Sequence, residues 1–245
     1  MWSDNLLITA VKNLIRKRKD NMELNRIAEE LHPRSMAARD WVFQVIRTAI
    51  IRGVLPGGMP LRQDEISSSL NVSHIPVREA FRQLEAQGLV RIYPNRGAVV
   101  TKLSPKELAN VMDTRIMLET GILSAAVSLM TDADIEKADM YLKKFKEESD
   151  MENLDSINLK LHFALYKPSG NHVALTLIDQ FHANVDRYLH PFYTVEDMPR
   201  IKNIAEHSAL IDACRARDAS LAKAILRTHL ESTKQALLKS PLLAE

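Results

Sequence analysis

Apolar side chains recur at intervals of three and four residues along most of the chain, the period of an amphipathic helix rather than of a strand. The pattern predicts a helix from about Arg39 to Ile51 that ends near Gly53, then a turn at Leu55-Pro56-Gly57-Gly58. A short helix over Gln63–Leu70 follows. Asn71-Val72-Ser73 makes a three-residue turn, with Ser73 placed to cap the next helix. Pro76 sits in the first turn of that helix, where its missing N–H costs nothing, and Gly88 ends it near Gln87. At Leu89–Tyr93 and Ala98–Thr101 the pattern shortens to strand-like runs around Pro94-Asn95-Arg96-Gly97.

Beyond residue 103 the pattern is helical throughout. Ser104-Pro105-Lys106-Glu107 is a capping box with proline at the first helical position, and it opens a helix to about Met130. Thr131-Asp132-Ala133-Asp134 opens the next, to about Ser149. Further helices fit 153–167, 171–190, 199–216 and 219–238, the last capped by Asp218. Six helices with short connections predict an antiparallel bundle. Ahead of residue 36, Leu6, Val11, Leu14 and Ile15, then Leu24, Ile27, Ala28 and Leu31, suggest two amphipathic helices. The expected fold is mainly α, with a helical extension (1–35), a three-helix unit closed by a hairpin (36–103) and a six-helix bundle (104–245).

Composition sharpens this division. Seven glycines and 5% aromatic residues leave little material for a protein of many turns and strands. Residues 36–102 carry nine basic and five acidic groups, whereas residues 103–245 carry 17 and 21, which implies different partners for the two parts. The net charge of only +2 excludes a polyelectrolyte chain. Cys214 is the sole cysteine, so no intrachain disulfide exists and a reducing compartment is expected. No apolar run approaches the roughly 18 residues of a membrane span. The apolar Leu6–Val11 precedes the basic Arg16–Lys19, the reverse of a secretory signal, so the expected location is the cytoplasm.

In the basic part, Ile66, Leu70, Val72, Val77, Phe81 and Leu84 are spaced so that two short helices share one core. That turns Ser73, His74, Ile75, Arg78 and Arg82 outward. The arrangement is a helix-turn-helix, whose second helix meets base edges in the major groove through its N-terminal residues. Arg78 and Arg82 lie four apart on one face. A guanidinium pairs bidentately with a guanine edge or clamps a phosphate. Asn95, Arg96 and Gly97 at the hairpin tip would reach a neighbouring groove or backbone. A helical hairpin with solvated arginines fits the same spacing.

The runs Ile51–Gly57 and Asn71–Val90, with Leu61 between them, closely resemble the winged helix-turn-helix of the GntR family of bacterial transcription regulators. The likeness extends from about Arg39 to Leu103. Pro76-Val77-Arg78-Glu79-Ala80 is its most specific part, and the wing Pro94–Val100 also looks like the family's. The resemblance implies that Arg78 reads bases and that Glu79 orients it. His74 stands where the family usually has an arginine after the turn serine, and Asp64 where it sometimes has another, so the operator is expected to differ.

In the acidic part, Leu108, Val111, Arg115, Leu118 and Ile122 form one apolar stripe that Arg115 interrupts. A buried arginine needs a partner, either Glu119 one turn on or an anionic ligand. Leu154, Ile157, Leu161 and Leu165 face inward on the next-but-one helix, with Asn158 and His162 on the same side. Ile204, His207, Ile211 and Cys214 form another stripe, and Leu221, Ile225, His229 and Ser232 a third. Each histidine alone suits a hydrogen-bonded core role. Three on stripes facing one interior suit a divalent ion such as zinc or nickel. His32, His172, His182 and His190 read as surface or helix-end residues.

Over about Lys106–Leu238 this part resembles the FCD effector-binding domain of the FadR-like branch of the GntR family, in its six-helix VanR-type form. The markers are Arg115-Ile116-Met117-Leu118-Glu119, His162-Phe163, Gly170-Asn171, Glu206-His207 and the stretch from Arg217-Asp218 to His229. The resemblance implies that His162, His207 and His229 are metal ligands and that Arg115 faces a pocket holding a ligand carboxylate. The family's further ligand is an aspartate, and Asn158 occupies that position, which implies weaker metal binding or dependence on a bound acid. Tyr166, Asn171 and Arg187 are candidate pocket residues.

The sequence thus reads as a homodimeric, ligand-responsive regulator of transcription and not as an enzyme. Its expected partners are a duplex operator and a small carboxylic acid, with no membrane. Two alternatives stand beside this. One is the same regulator with a vestigial pocket. The other is a hydrolase in which the three histidines hold a water-activating metal, with Glu119 as the one nameable base and residues 39–103 left unexplained.

Overall fold

The computed structural model describes residues 20–31, 36–94, 97–195 and 197–239, and the side chains of all of these except 151–152, 186–187, 189–195 and 197–201. The chain divides into two compact units, residues 1–102 and 103–245.

In the first unit, a helix over residues 20–30 (α1) buries Leu24, Ile27 and Ala28, and Glu30 near its end pairs with Arg52 at 2.7 Å. The other extension residues named above, Leu6–Ile15, Arg16–Lys19 and His32, lie outside the described residues. Helix α2 (Ala38–Ile51) buries Val42, Val45, Ile46, Ala49 and Ile50. Helices α3 (Gln63–Leu70) and α4 (His74–Ala86) meet across Asn71, which sits in the left-handed region at φ 51°. Asparagine tolerates that conformation, and it lets the chain reverse within three residues. Ile66, Leu70, Val77, Phe81 and Leu84 are buried between them, and Val72 is half-buried. Ser73 holds the N-cap position with extended backbone, but its hydroxyl makes no capping bond. The expected cap is therefore corrected; this helix start is exposed, so its first N–H groups need no side-chain acceptor.

A three-stranded antiparallel sheet closes the unit in the order β1-β3-β2, with β1 at Pro60–Leu61, β2 at Val90–Tyr93 and β3 at Gly97–Val100. Strand β1 was not expected. It pairs Pro60 with Val99 and Leu61 with Ala98. Gly97 has φ +82°, and a Cβ there would run into the backbone carbonyl of Leu61. Only glycine allows both the angle and the approach.

The second unit contains, among the described residues, six α-helices: α5 (Pro105–Val127), α6 (Asp132–Glu147), α7 (Met151–Tyr166), α8 (His172–Val195), α9 (Asp197–Arg215) and α10 (Ala219–Leu238). Ser104 with Glu107, and Thr131 with Asp134, form complete capping boxes, and Asp218 caps α10 through the Leu221 N–H. Helix α5 packs chiefly on α10, and α6 on α7. The core includes Leu123, Leu161, Tyr166, Ile178, Leu210 and Leu226. The inward row of α10 differs by one residue from the expected stripe. Ala222, Leu226, His229 and Leu230 are buried, while Leu221 is exposed and Ile225 half-buried. No helix among the described residues is long and apolar enough to cross a membrane.

Candidate functional site

Each unit carries a polar constellation of its own. In the first, Ser73, His74, Ile75, Arg78 and Arg82 are all exposed on the N-terminal part and outer face of α4, and Ile75 keeps 60% of its surface open. A concavity of about 820 Å³ lies between α3, α4 and the sheet, lined by Arg62, Asp64, Arg78, Arg82, Tyr93 and Gly97 among others. Arg62, Arg78 and Arg82 make no ion pair among the described residues; the one carboxylate lining the concavity, Asp64, faces His74 instead. Unpaired arginines around an open hollow suit phosphate and guanine edges. Arg62 was not singled out from the sequence; it lies just before α3, where no periodicity marks it.

His74 and Asp64, the two departures from the family pattern, face each other, with Nδ1 and Oδ1 3.4 Å apart. Glu79 makes no hydrogen bond or ion pair with Arg78 among the described residues. Arg39 is raised chiefly by its hydrogen bond to Asp40, and Glu79 adds a smaller attraction. Asn95 and Arg96 lie outside the described residues.

In the second unit five helices converge on one buried cluster. Helix α5 supplies Arg115 and Glu119, α7 supplies Asn158, His162 and Tyr166, α8 supplies His182, α9 supplies Glu206 and His207, and α10 supplies His229. Arg115, Glu119, His162, His182, His207 and His229 are buried. His182 thus corrects its surface assignment. It follows Ala174 and Ile178 at four-residue steps on the inward row of α8. Asn171 is not brought to the cluster; it is exposed, and its Oδ1 accepts the Ala174 N–H at 3.1 Å. His172 is exposed, and the side chains of Arg187 and His190 lie outside those described.

The contacts form one network. Arg115 Nε donates to Glu119 Oε1 at 2.7 Å, and its Nη2 lies 2.7 Å from His182 Nε2. Tyr166 donates to Glu119 Oε2 at 2.9 Å, and His162 Nδ1 is 3.1 Å from the Tyr166 oxygen. The Nε2 atoms of His162 and His207 approach to 3.1 Å. His229 Nδ1 is 2.6 Å from Glu206 Oε2. Burial alone would raise the Glu119 carboxyl, but the Arg115 guanidinium and His182 together outweigh it and hold the group well below the usual carboxylate range. Burial, then the charge of His229, pushes His162 and His207 well below the usual imidazole range, so both are neutral at pH 7. The hydrogen bond with His229 lowers Glu206.

Donor atoms of His162, His207 and His229 lie within 4.8 Å of one another. Neutral imidazoles are what zinc or nickel takes, at about 2.0–2.1 Å for zinc, so the widest spacing must close by roughly 1 Å on loading. Asn158 Oδ1 is buried without a partner, as is His207 Nδ1. An orphaned amide oxygen one turn before His162 is an acceptor awaiting a cation or a donor. The donor set fits a divalent ion.

A winged helix-turn-helix with unpaired arginines, joined in one chain to a helical unit with a buried polar cluster, defines the class of DNA-binding regulators that carry a sensing unit. Residues 110–232 match the FCD domain family, and residues 38–100 match the bacterial regulatory proteins of the gntR family. The chain belongs to the GntR family of bacterial regulators, with an FCD effector-binding domain. Among its relatives, the HTH-type transcriptional repressor RspR of Escherichia coli K12 is 24% identical over 214 residues, 86% of this chain and 93% of the relative. A probable D-xylose utilization operon transcriptional repressor of Paenarthrobacter nicotinovorans is 28% identical over 183 residues, 74% of this chain and 80% of the relative. The solved structure of E. coli McbR/YncC shares the fold, with a TM-score of 0.74, 22% identity and coverage of 82% of this chain and 97% of that one. The protein is a DNA-binding regulator of transcription, and the family is made up of such regulators rather than of enzymes.

Proposed function

We propose that the chain binds a pseudo-palindromic operator as a homodimer, and that a small carboxylic acid held at the buried cluster together with a divalent ion alters that binding. Ser73, His74, Ile75, Arg78 and Arg82 enter the major groove, with Arg78 as the principal base reader. Asn95, Arg96 and Gly97 of the wing follow the backbone, and Arg62 adds a phosphate contact. Two heads would read half-sites about 34–36 Å apart.

The observation that carries the effector half is the buried donor set: three histidines and an unpartnered amide oxygen brought together inside the bundle. A buried polar group is costly while it lacks a partner, and Asn158 Oδ1 and His207 Nδ1 have none among the described residues. His162, His207 and His229 would hold the ion, with Asn158 Oδ1 as a weaker fourth donor. Bound zinc or nickel would supply a Lewis-acid centre with open positions for a ligand carboxylate. Arg115 contributes positive charge beside it, shared with Glu119.

To switch the regulator, the acid must bind the DNA-competent and incompetent arrangements unequally. The expected change in operator affinity is about 5–150-fold. The experiment is a fluorescence-anisotropy titration of the gene's own upstream duplex against random duplex, with nickel or zinc and a panel of carboxylic acids. An acid that raises the melting temperature yet leaves operator affinity unchanged defeats the allosteric half. A chain that takes up neither ion nor acid is instead a regulator with a vestigial pocket, a reading that the internal Arg115–Glu119 pair favours.

A further inference from the structure

We propose that Glu119 and Tyr166 form a relay that fixes the proton of His162 on Nδ1 and presents its Nε2 lone pair to the centre of the histidine cluster. Its consequence for an ion rests on the metal reading above; the tautomer itself does not.

The direction of each hydrogen bond follows from what each group can do. Arg115 has donors only, and an ionised Glu119 has acceptors only. Tyr166 lies 2.9 Å from Glu119 Oε2, so its single hydrogen points to the carboxylate. The Tyr166 oxygen is then left with lone pairs alone, and the partner it faces at 3.1 Å is His162 Nδ1. That nitrogen must carry the hydrogen. In a neutral imidazole the other nitrogen is then bare, and His162 Nε2 is the atom that sits 3.1 Å from His207 Nε2. The opposite tautomer would leave Nδ1 and the phenol oxygen facing each other as two acceptors.

The relay depends on Glu119 staying anionic, and Arg115 at 2.7 Å secures that. His182 Nε2 lies 2.7 Å from Arg115 Nη2 and 3.5 Å from Glu119 Oε2, and so packs against both members of the pair. His229 is oriented in the same way by a different carboxylate, Glu206, at 2.6 Å. Two of the three histidines therefore have their second nitrogen assigned by an acid, one directly and one through a phenol. Such outer partners set ring orientation and basicity at metal sites. Glu119 and Tyr166 are positioning residues: neither needs to touch the ion.

The test uses the full-length chain and the Tyr166→Phe variant, which keeps the ring and its packing and removes only the hydroxyl. Long-range proton–nitrogen NMR correlations on the metal-free protein identify which His162 nitrogen bears the hydrogen. The expected result is Nδ1–H in the parent, with a growing Nε2–H population in the variant. Chelator competition with nickel or zinc should show affinity about 10–100-fold weaker in the variant. His162 protonated on Nε2 in the parent overturns the relay, and so does a variant that keeps both the parent's tautomer and its metal affinity. A parent with Nδ1–H that binds neither ion supports the relay and overturns the metal reading alone.

Discussion

Arg78 sits on the exposed face of α4 with no intramolecular ion pair among the described residues, so its guanidinium is spent on nothing inside the protein. Replacing it by alanine should weaken operator binding by about 1–3 kcal/mol, roughly 5–150-fold, and relax preference at one base position. Far-ultraviolet circular dichroism and melting temperature should not change. An Arg78→Ala protein with unaltered operator preference would remove this residue from the reading set. At the same scale the buried site was only partly legible. The three stripe histidines were visible because each lies on an apolar face. His182 was missed although Ala174, Ile178, His182 and Val185 follow the inward spacing of α8 and are all buried. Arg115 shows the opposite case: its burial was legible, but a choice between Glu119 and a ligand needed the 2.7 Å contact, and that contact does not exclude a ligand as a further partner.

At the scale of elements, the helices followed from their periodicity and their caps, because both are local properties of a few residues. The short strand β1 did not, because two residues have no period of their own and exist as a strand only through pairing with β3. Gly97 is where that pairing is most exacting. Gly97→Ala should force β1 and β3 apart, since the left-handed angle alone costs a side chain about 1–2 kcal/mol and the new methyl meets the Leu61 carbonyl. Hydrogen exchange should accelerate at Ala98 and Val99 and not in α5–α10. Unchanged protection in the sheet would mean that the close approach at Leu61 is relieved cheaply. The row of α10 that faces inward was misread for a related reason. Leu221 and Ile225 form one apolar row, Ala222 and Leu226 the next, and contact with α5 and α9 decides between them.

For the molecule as a whole, ionisation ties stability to pH. Glu119 has a folded-state value below its ordinary 4.5, and Asp134 lies below its ordinary 3.8 through its bonds to Thr131. A carboxyl depressed by folding contributes stability that is complete above its unfolded value and is lost as the pH falls toward its folded one. The denaturant midpoint should therefore hold near neutrality and fall below about pH 4.5, and Glu119→Gln should flatten that fall. A midpoint that does not move with acid would show that the Arg115–Glu119 pair is no more favourable folded than unfolded. Mainly helical composition, the basic and acidic halves, the helix starts and the outward face of α4 were all written in the sequence, because each depends on neighbours within a few positions. The meeting of five helices on one network, the mutual approach of His74 and Asp64, and the assignment of each histidine nitrogen were decided by tertiary structure. Their hydrogen bonds join residues up to 67 positions apart, as between Arg115 and His182, and no local pattern records which distant groups will share a buried space.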